Sequence, residues 1–189
     1  VTIGVATYPH HGTDLSRLLR AAKHRAEASR ASVVRTLGLA PLPLAEVLDA
    51  ILWDLATPDR PEPVPELPQT ADLPATDVVA LAVAALGEAR RGGGARVVAT
   101  LRAGVGIGTA LRAALGRDPG EVRLDLVDVA DAPGCRDLEA FALIAEQSCY
   151  AFLGRSERGR VRGIHAADPL LVDLLVQRLG EATRARVGG

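Results

Sequence analysis

Three groups of residues have the types and spacing to do chemistry. Gly104-Val105-Gly106-Ile107-Gly108-Thr109 falls between a predicted strand and a predicted helix, the context in which free backbone amides and the helix dipole hold a phosphate. It lacks the three-glycine spacing of a dinucleotide fingerprint and the Lys-Ser/Thr pair of a P-loop, so a tight strand-to-helix turn is the competing reading. Arg155, Arg158, Arg160 and Arg162 bracket a turn. Alternation sets Arg160 and Arg162 on one face, where they would meet phosphate or, on an edge strand, oppose edge-to-edge pairing. His165 ends a strand three residues before Asp168 and has the chemistry of a base. Ser148 and Cys149 lie on a neighbouring predicted strand, so a hydrolase using His165 with either is one alternative; Asp168-Pro169 more simply caps the last helix. The candidate contacts for a small anionic or nucleotide-like ligand are therefore Gly104, Gly106, Gly108, Thr109, Arg160, Arg162 and His165.

Metal chemistry has less to build on. Asp125, Asp128, Asp131 and Asp137 cluster near one strand end, but alternation turns Asp125 away from Asp128, which favours solvated strand-end and cap roles. His10, His11 and His24 have no matching cysteine or carboxylate cluster. Cys135 and Cys149, the only two cysteines, have no second pair for a zinc site and read as reduced, buried thiols. No metal or cofactor is expected. With 22 Lys+Arg against 23 Asp+Glu, the net charge of -1 supplies no field to hold DNA or an anionic membrane. Charged residues interrupt every apolar run before it reaches the ~20 residues of a membrane span. A cytoplasmic location follows as the expectation.

The elements that must position these groups come in two blocks. Val1 to Thr7 reads as a strand, and Tyr8-Pro9-His10-His11-Gly12 as a loop. Thr13 or Asp14 then caps a helix whose Leu15, Leu18, Leu19, Ala22 and Ala26 make one buried stripe. A short helix spans Leu44 to Leu55, where Ile51, Trp53 and Leu55 belong to an apolar patch suited to a second copy or another domain. Residues 57 to 76 carry six prolines and read as a semi-rigid polyproline linker.

Beyond it strands alternate with helices: helix Asp77 to Arg91, stopped by Gly92-Gly93-Gly94; strand Arg96 to Leu101; helix Ile107 to Leu115; strand Val122 to Val129; helix Leu138 to Glu146; strands Cys149 to Gly154 and Val161 to Ile164; and helix Pro169 to about Arg184. This predicts an α/β fold, a three-layer arrangement of helices on a mixed sheet with a hairpin at Arg155 to Gly159. The expected segments are 1–38, 39–76 (short helix and linker) and 77–189.

Thr2 to Ala6 and Tyr8-Pro9-His10-His11-Gly12 resemble the closing strand and Tyr-Pro-x-x-Gly loop of GGDEF, or diguanylate cyclase, domains. The following helix departs from that family at Lys23, Ala26-Glu27 and Ser29-Arg30, as in a degenerate member. The Gly-Gly-Asp/Glu-Glu-Phe signature, whose carboxylates hold magnesium for phosphoryl transfer, is not in this chain. The chain opens inside a strand without an initiator Met, which suggests a piece of a longer protein. Tyr150 to Gly154, Arg160 to His165 and Asp168 to Leu171 are loosely similar to DICT domains and to non-catalytic phospholipase D-like regulator domains. The resemblance implies a non-catalytic regulatory or sensory module of a bacterial signalling protein related to cyclic di-GMP, not an enzyme, whose partners are a preceding GGDEF-like domain, a second copy, or a small ligand. An oligomerisation domain without ligand is the other alternative.

Overall fold

A computed structural model describes residues 4–9, 11–28, 32–56, 68–91, 95–102, 106–116, 120–130, 132–145 and 148–184. The expectations for Val1 to Ile3, His10, Pro58 to Pro65, Gly92 to Gly94, Gly104 and Asp131 lie outside them. The elements in chain order are α1 (Leu15–Ala28), α2 (Val33–Thr36), α3 (Leu44–Leu55), β1 (Gln69–Pro74), α4 (Ala75–Arg91), β2 (Ala95–Leu101), α5 (Ile107–Leu115), β3 (Val122–Asp128), β4 (Leu138–Ala145), β5 (Cys149–Glu157), β6 (Arg160–Ala166) and α6 (Pro169–Arg184).

The six strands form one mixed sheet in the order β1-β6-β5-β4-β2-β3. Only β2 and β3 run parallel, joined by α5 as a crossover helix. The other four pairings are antiparallel. β5 and β6 close as a hairpin over Arg158 and Gly159, at φ 50° and 79°. Two left-handed residues in a two-residue turn give the backbone twist that matches paired strands, and glycine takes that conformation without steric cost.

Helices cover both faces, so the architecture is the three-layer α/β arrangement read from the alternation of elements. On one face α4 and α5 bury Val78, Leu86, Ile107 and Leu111 against Val97, Phe141 and Phe152. On the other, α2, α3 and α6 bury Val34, Leu48, Ile51, Leu171 and Leu175 against Leu138, Leu153 and Ile164. Residues from Val33 to Ile51 thus share a core with the sheet.

Three expectations are corrected. Leu138 to Ala145 is a strand, not a helix. Its run of Leu, Ala and Glu suits a helix, but it lies between β2 and β5 with residues buried on both faces, and that environment overrides local propensity. Gln69 to Pro74, read as linker, is β1; as an edge strand it needs ladder partners on one side only, and its closing proline fits there. Its alternation is real, with Ala71 and Leu73 packing toward α4.

The third correction concerns α1. The expected buried stripe is only partly covered: Leu18, Ala22 and Ala26 are half-buried, Leu15 is 71% and Leu19 62% exposed, and the buried side chain of the helix is Arg25. Leu171, Val172, Leu174, Leu175 and Leu179 of α6 are buried in the core against the sheet, and α1 adds itself to the outside of α6 through an ion pair between Arg25 and Asp173. Gly4 backs onto α1 so closely that a Cβ would fall 1.8 Å from the Ala22 carbonyl oxygen.

Candidate functional site

The start of α5, where the glycine-rich stretch ends, is occupied by the chain itself. Gly106 is the N-cap of α5, in extended conformation, and offers no side chain to the orphan amides. Glu139 supplies one instead: its carboxylate accepts from the Ile107 N–H and from Arg102 Nη1 at 3.1 Å, and a Cβ on Gly106 would lie 3.3 Å from Glu139 Oε1. Burial pushes the Glu139 carboxyl above its ordinary 4.5, against the opposing pull of Arg102 and the Ile107 amide. Gly108 is needed for a different reason, since a Cβ there would meet the Thr100 carbonyl oxygen at 2.5 Å. Thr100 Oγ1 in turn accepts from the Ala140 N–H at 3.0 Å, carrying the β2–β4 contact one step past its ladder. A carboxylate at a helix N-terminus is the interaction that an external anion would otherwise make.

The remaining candidates for that ligand stand apart. His165 sits in the cross-strand row Ala99, Phe141, Phe152, His165, and β5 and β4 lie between it and the strand that leads into α5. Its ring is 6.0 Å from that of Tyr150, which neighbours Phe141 at 5.7 Å in an aromatic row on the α4/α5 face. Arg160 and Arg162 share the other face of β6, as alternation predicts. β6 is interior, however, so edge protection does not apply to them. Both face Asp72 of β1, with Arg160 Nε at 2.8 Å and Arg162 Nε at 3.8 Å. Arg155 acts as a staple, its guanidinium donating to Asp49 at 3.0 Å, to Asp137 at 3.4 Å and to the Gly134 carbonyl at 3.1 Å. It ties α3 to the sheet, and Asp137 answers it instead of starting a helix.

Cys149 and His165 do not form a dyad. Cys149 packs toward α6 with Ala151 and Leu153, and His165 lies across the sheet beside Tyr150 and opposite Phe152. Burial pushes the Cys149 thiol up to about 12, which keeps it protonated near neutrality. It donates to the Ala167 carbonyl at 3.3 Å. Both cysteines are free thiols. Among the described residues no group of three or more His, Cys, Asp or Glu is placed to hold a metal ion, and no helix is long and apolar enough to cross a membrane.

Asp125 and Asp128 do face opposite ways. Burial raises the Asp125 pKa, but hydrogen bonds and charge from Arg96 at 2.8 Å and Arg123 at 3.0 Å outweigh it and hold the carboxyl below its ordinary 3.8. Asp168 is a fully engaged cap. Oδ2 accepts from Ser32 Oγ at 2.6 Å and the Val33 N–H at 2.9 Å, and Oδ1 from the Leu170 N–H at 2.9 Å. One buried carboxylate thereby fastens the starts of α2 and α6.

A site that the sequence did not suggest opens between α1 and the sheet. It is a cleft of about 250 Å³ whose lining includes Arg17, Arg20, His24 and Arg25 on one side and Ser148, Cys149 and Pro169 on the other. Helical spacing sets Arg17, Arg20 and His24 along one side of α1, a signal present in the sequence but hidden by the competing leucine stripe. His11 also reaches the cleft, its Nδ1 accepting from the Thr7 N–H at 2.8 Å. The surface patch of the short helix divides: Ile51 is fully buried, Leu55 half-buried, and Trp53 81% exposed.

Fold and cleft together define a mixed α/β sheet domain with an N-terminal helix docked on its outer layer. Comparisons with family models, with curated proteins and with solved structures found no match.

Proposed function

We propose that this chain is a non-catalytic regulatory module of a cytoplasmic signalling protein related to cyclic di-GMP, in which the GGDEF-like segment and the α/β body report on each other through the way α1 docks. The observation that carries the reading is the inverted burial of the N-terminal segment. Val5, Tyr8, Leu15 and Leu19 are all large, apolar and exposed, while the contact with the body is made by the Arg25–Asp173 pair. An apolar face of that kind suits a GGDEF-like domain preceding this segment in the same polypeptide. The same helix would then belong to two bodies at once, apolar toward one and charged toward the other. A charged contact whose acid partner is half-exposed is more easily shifted than a packed apolar one, which is what a relay requires.

Hydrogen exchange tests this directly. Residues 4–28 should exchange slowly when a GGDEF-type domain is fused ahead of them and faster in the chain alone. Equal exchange in the two proteins overturns the reading. A second reading, self-association through α3, is favoured by the exposed Trp53. It expects a dimer by light scattering that Trp53→Ala returns to monomer.

A further inference from the structure

We propose that the cleft between α1 and the sheet binds a small organic anion, whose carboxylate or phosphate head is held by Arg20 with Arg17 and His24 and whose compact apolar body rests on Ala21, Ala145 and Pro169. The inference rests on the regulatory reading above and gives it a ligand. Three observations lead to it. The first is charge. Arg17, Arg20 and Arg25 line the cleft with two histidines, and no carboxylate lines it among the described residues. Arg25 is committed to Asp173 and Arg17 is shared with Asp14 at 3.2 Å, whereas Arg20 makes no ion pair among the described residues. A guanidinium matches a carboxylate or phosphate with two parallel N–H donors.

The second is size. The cleft measures about 250 Å³, and a dry cavity of roughly 150 Å³ accommodates benzene. There is room for one ring or a short chain plus its head group, and a cyclic dinucleotide with two bases and two phosphates is too large to enter. The third is the identity of the donors. α6 begins at the cleft, but Pro169 has no N–H and Asp168 already accepts from the Leu170 and Leu171 amides. The start of α6 therefore has no free donors, and the head must be held by side chains of α1 and the Ser148 hydroxyl at the rim.

These walls belong to different elements: Arg17, Arg20 and His24 to α1, Ala145 to the end of β4, Ser148 to the position just before β5, and Pro169 to the start of α6. A ligand touching both is bound only when α1 is docked. Its binding energy then favours the docked arrangement, which is the differential contact a population shift needs.

The test is calorimetric titration of the full chain with phenyl phosphate, benzoate, inorganic phosphate and neutral benzyl alcohol. Phenyl phosphate and benzoate should bind with Kd below about 1 mM, inorganic phosphate more weakly, and benzyl alcohol without measurable heat. Arg20→Ala should weaken the organic anions by about tenfold or more, Arg20→Lys by less, and Arg112→Ala, on the far face of the sheet, not at all. Arg20 is exposed, so its loss leaves the fold intact. Failure of both organic anions to bind at several times that concentration overturns the proposal, as does equal binding by the Arg20→Ala protein or by benzyl alcohol. Hydrogen exchange of residues 15–28 under saturating phenyl phosphate separates the two ideas. Slowed exchange supports both. Binding through Arg20 with unchanged exchange leaves the anion site standing and removes the relay.

Discussion

Single carboxylates set much of the local order, and Asp168 illustrates how one residue serves two helices. Its four acceptor contacts satisfy the Ser32 hydroxyl and three amides that the ends of α2 and α6 would otherwise leave bare in the interior. Loss of a cap alone costs roughly 1 kcal/mol, and orphaning further buried donors adds to that, so Asp168→Ala should destabilise by about 2–4 kcal/mol in urea unfolding. Asp168→Asn, which keeps one acceptor oxygen, should lose less. Glu139 and Asp125 carry opposite pH signatures. The folded-state pKa of Glu139 is raised, so its contribution to stability is present below the ordinary glutamate value and is lost as pH rises through the raised one. Asp125 is held low, so its contribution is present above the ordinary aspartate value and disappears as pH falls through the lowered one. Unfolding free energy measured across the acid range for wild type, Glu139→Gln and Asp125→Asn checks both signs: each variant should lose its own part of the pH dependence. The glycine turn was legible as a helix start, because Gly106 and Ile107 lie where the spacing put them. Its occupant was not, since Glu139 is thirty-odd residues away and arrives only when β4 pairs with β2.

At the scale of elements, the helices α3, α5 and α6 follow the sequence pattern residue for residue because each has one apolar side, a clear start and a cap or breaker. β4 and β1 resisted the same logic for opposite reasons. β4 is apolar on both sides, so no period survives to tell strand from helix. β1 is an edge strand beside prolines, where the alternation of Ala71 and Leu73 is short enough to be lost. The close strand contacts mark where pairing is least forgiving. Gly163 pairs with Gly154, and a Cβ on Gly163 would fall 2.2 Å from the Leu153 carbonyl oxygen. Gly163→Ala should therefore force β5 and β6 apart and destabilise by about 2 kcal/mol or more in thermal unfolding, while Gly159→Asn at the left-handed turn should cost under about 1 kcal/mol. The docking of α1 is a separate event from folding of the sheet. Arg25→Ala removes the buried half of its ion pair with α6, and a charge-assisted hydrogen bond at a half-exposed partner is worth about 1.5 kcal/mol. Exchange of the amides in α1 should rise about tenfold, with the exchange of β4 and β5 unchanged.

The whole molecule is asymmetric in what it leaves uncovered. Every strand of the sheet has its apolar side chains under a helix, and the two cores account for nearly all the large aliphatic residues of the α/β body. Among the described residues the large apolar side chains left exposed are Trp53 and the cluster Val5, Tyr8, Leu15 and Leu19, four of five belonging to the first 19 residues. Scattered single apolar residues at a surface need no explanation, but four within the segment that leads into and begins α1 set it apart from a body that buries such residues efficiently. On the reading proposed above, the pattern is a face built for a covering layer. The consequence is a dissociation of two properties that usually move together. The double substitution Leu15→Glu and Leu19→Glu removes apolar area that packs against nothing in the body, so the melting temperature of the chain alone should stay within the shift expected of about 0.5 kcal/mol. In a protein carrying a GGDEF-type domain ahead of residue 4, the same pair should expose α1 to exchange and release the two parts to move independently, which small-angle scattering would register as a larger radius of gyration. A large loss of stability in the isolated chain would instead mean that those leucines are core to this body, and the segment would have to be read as its own outer layer.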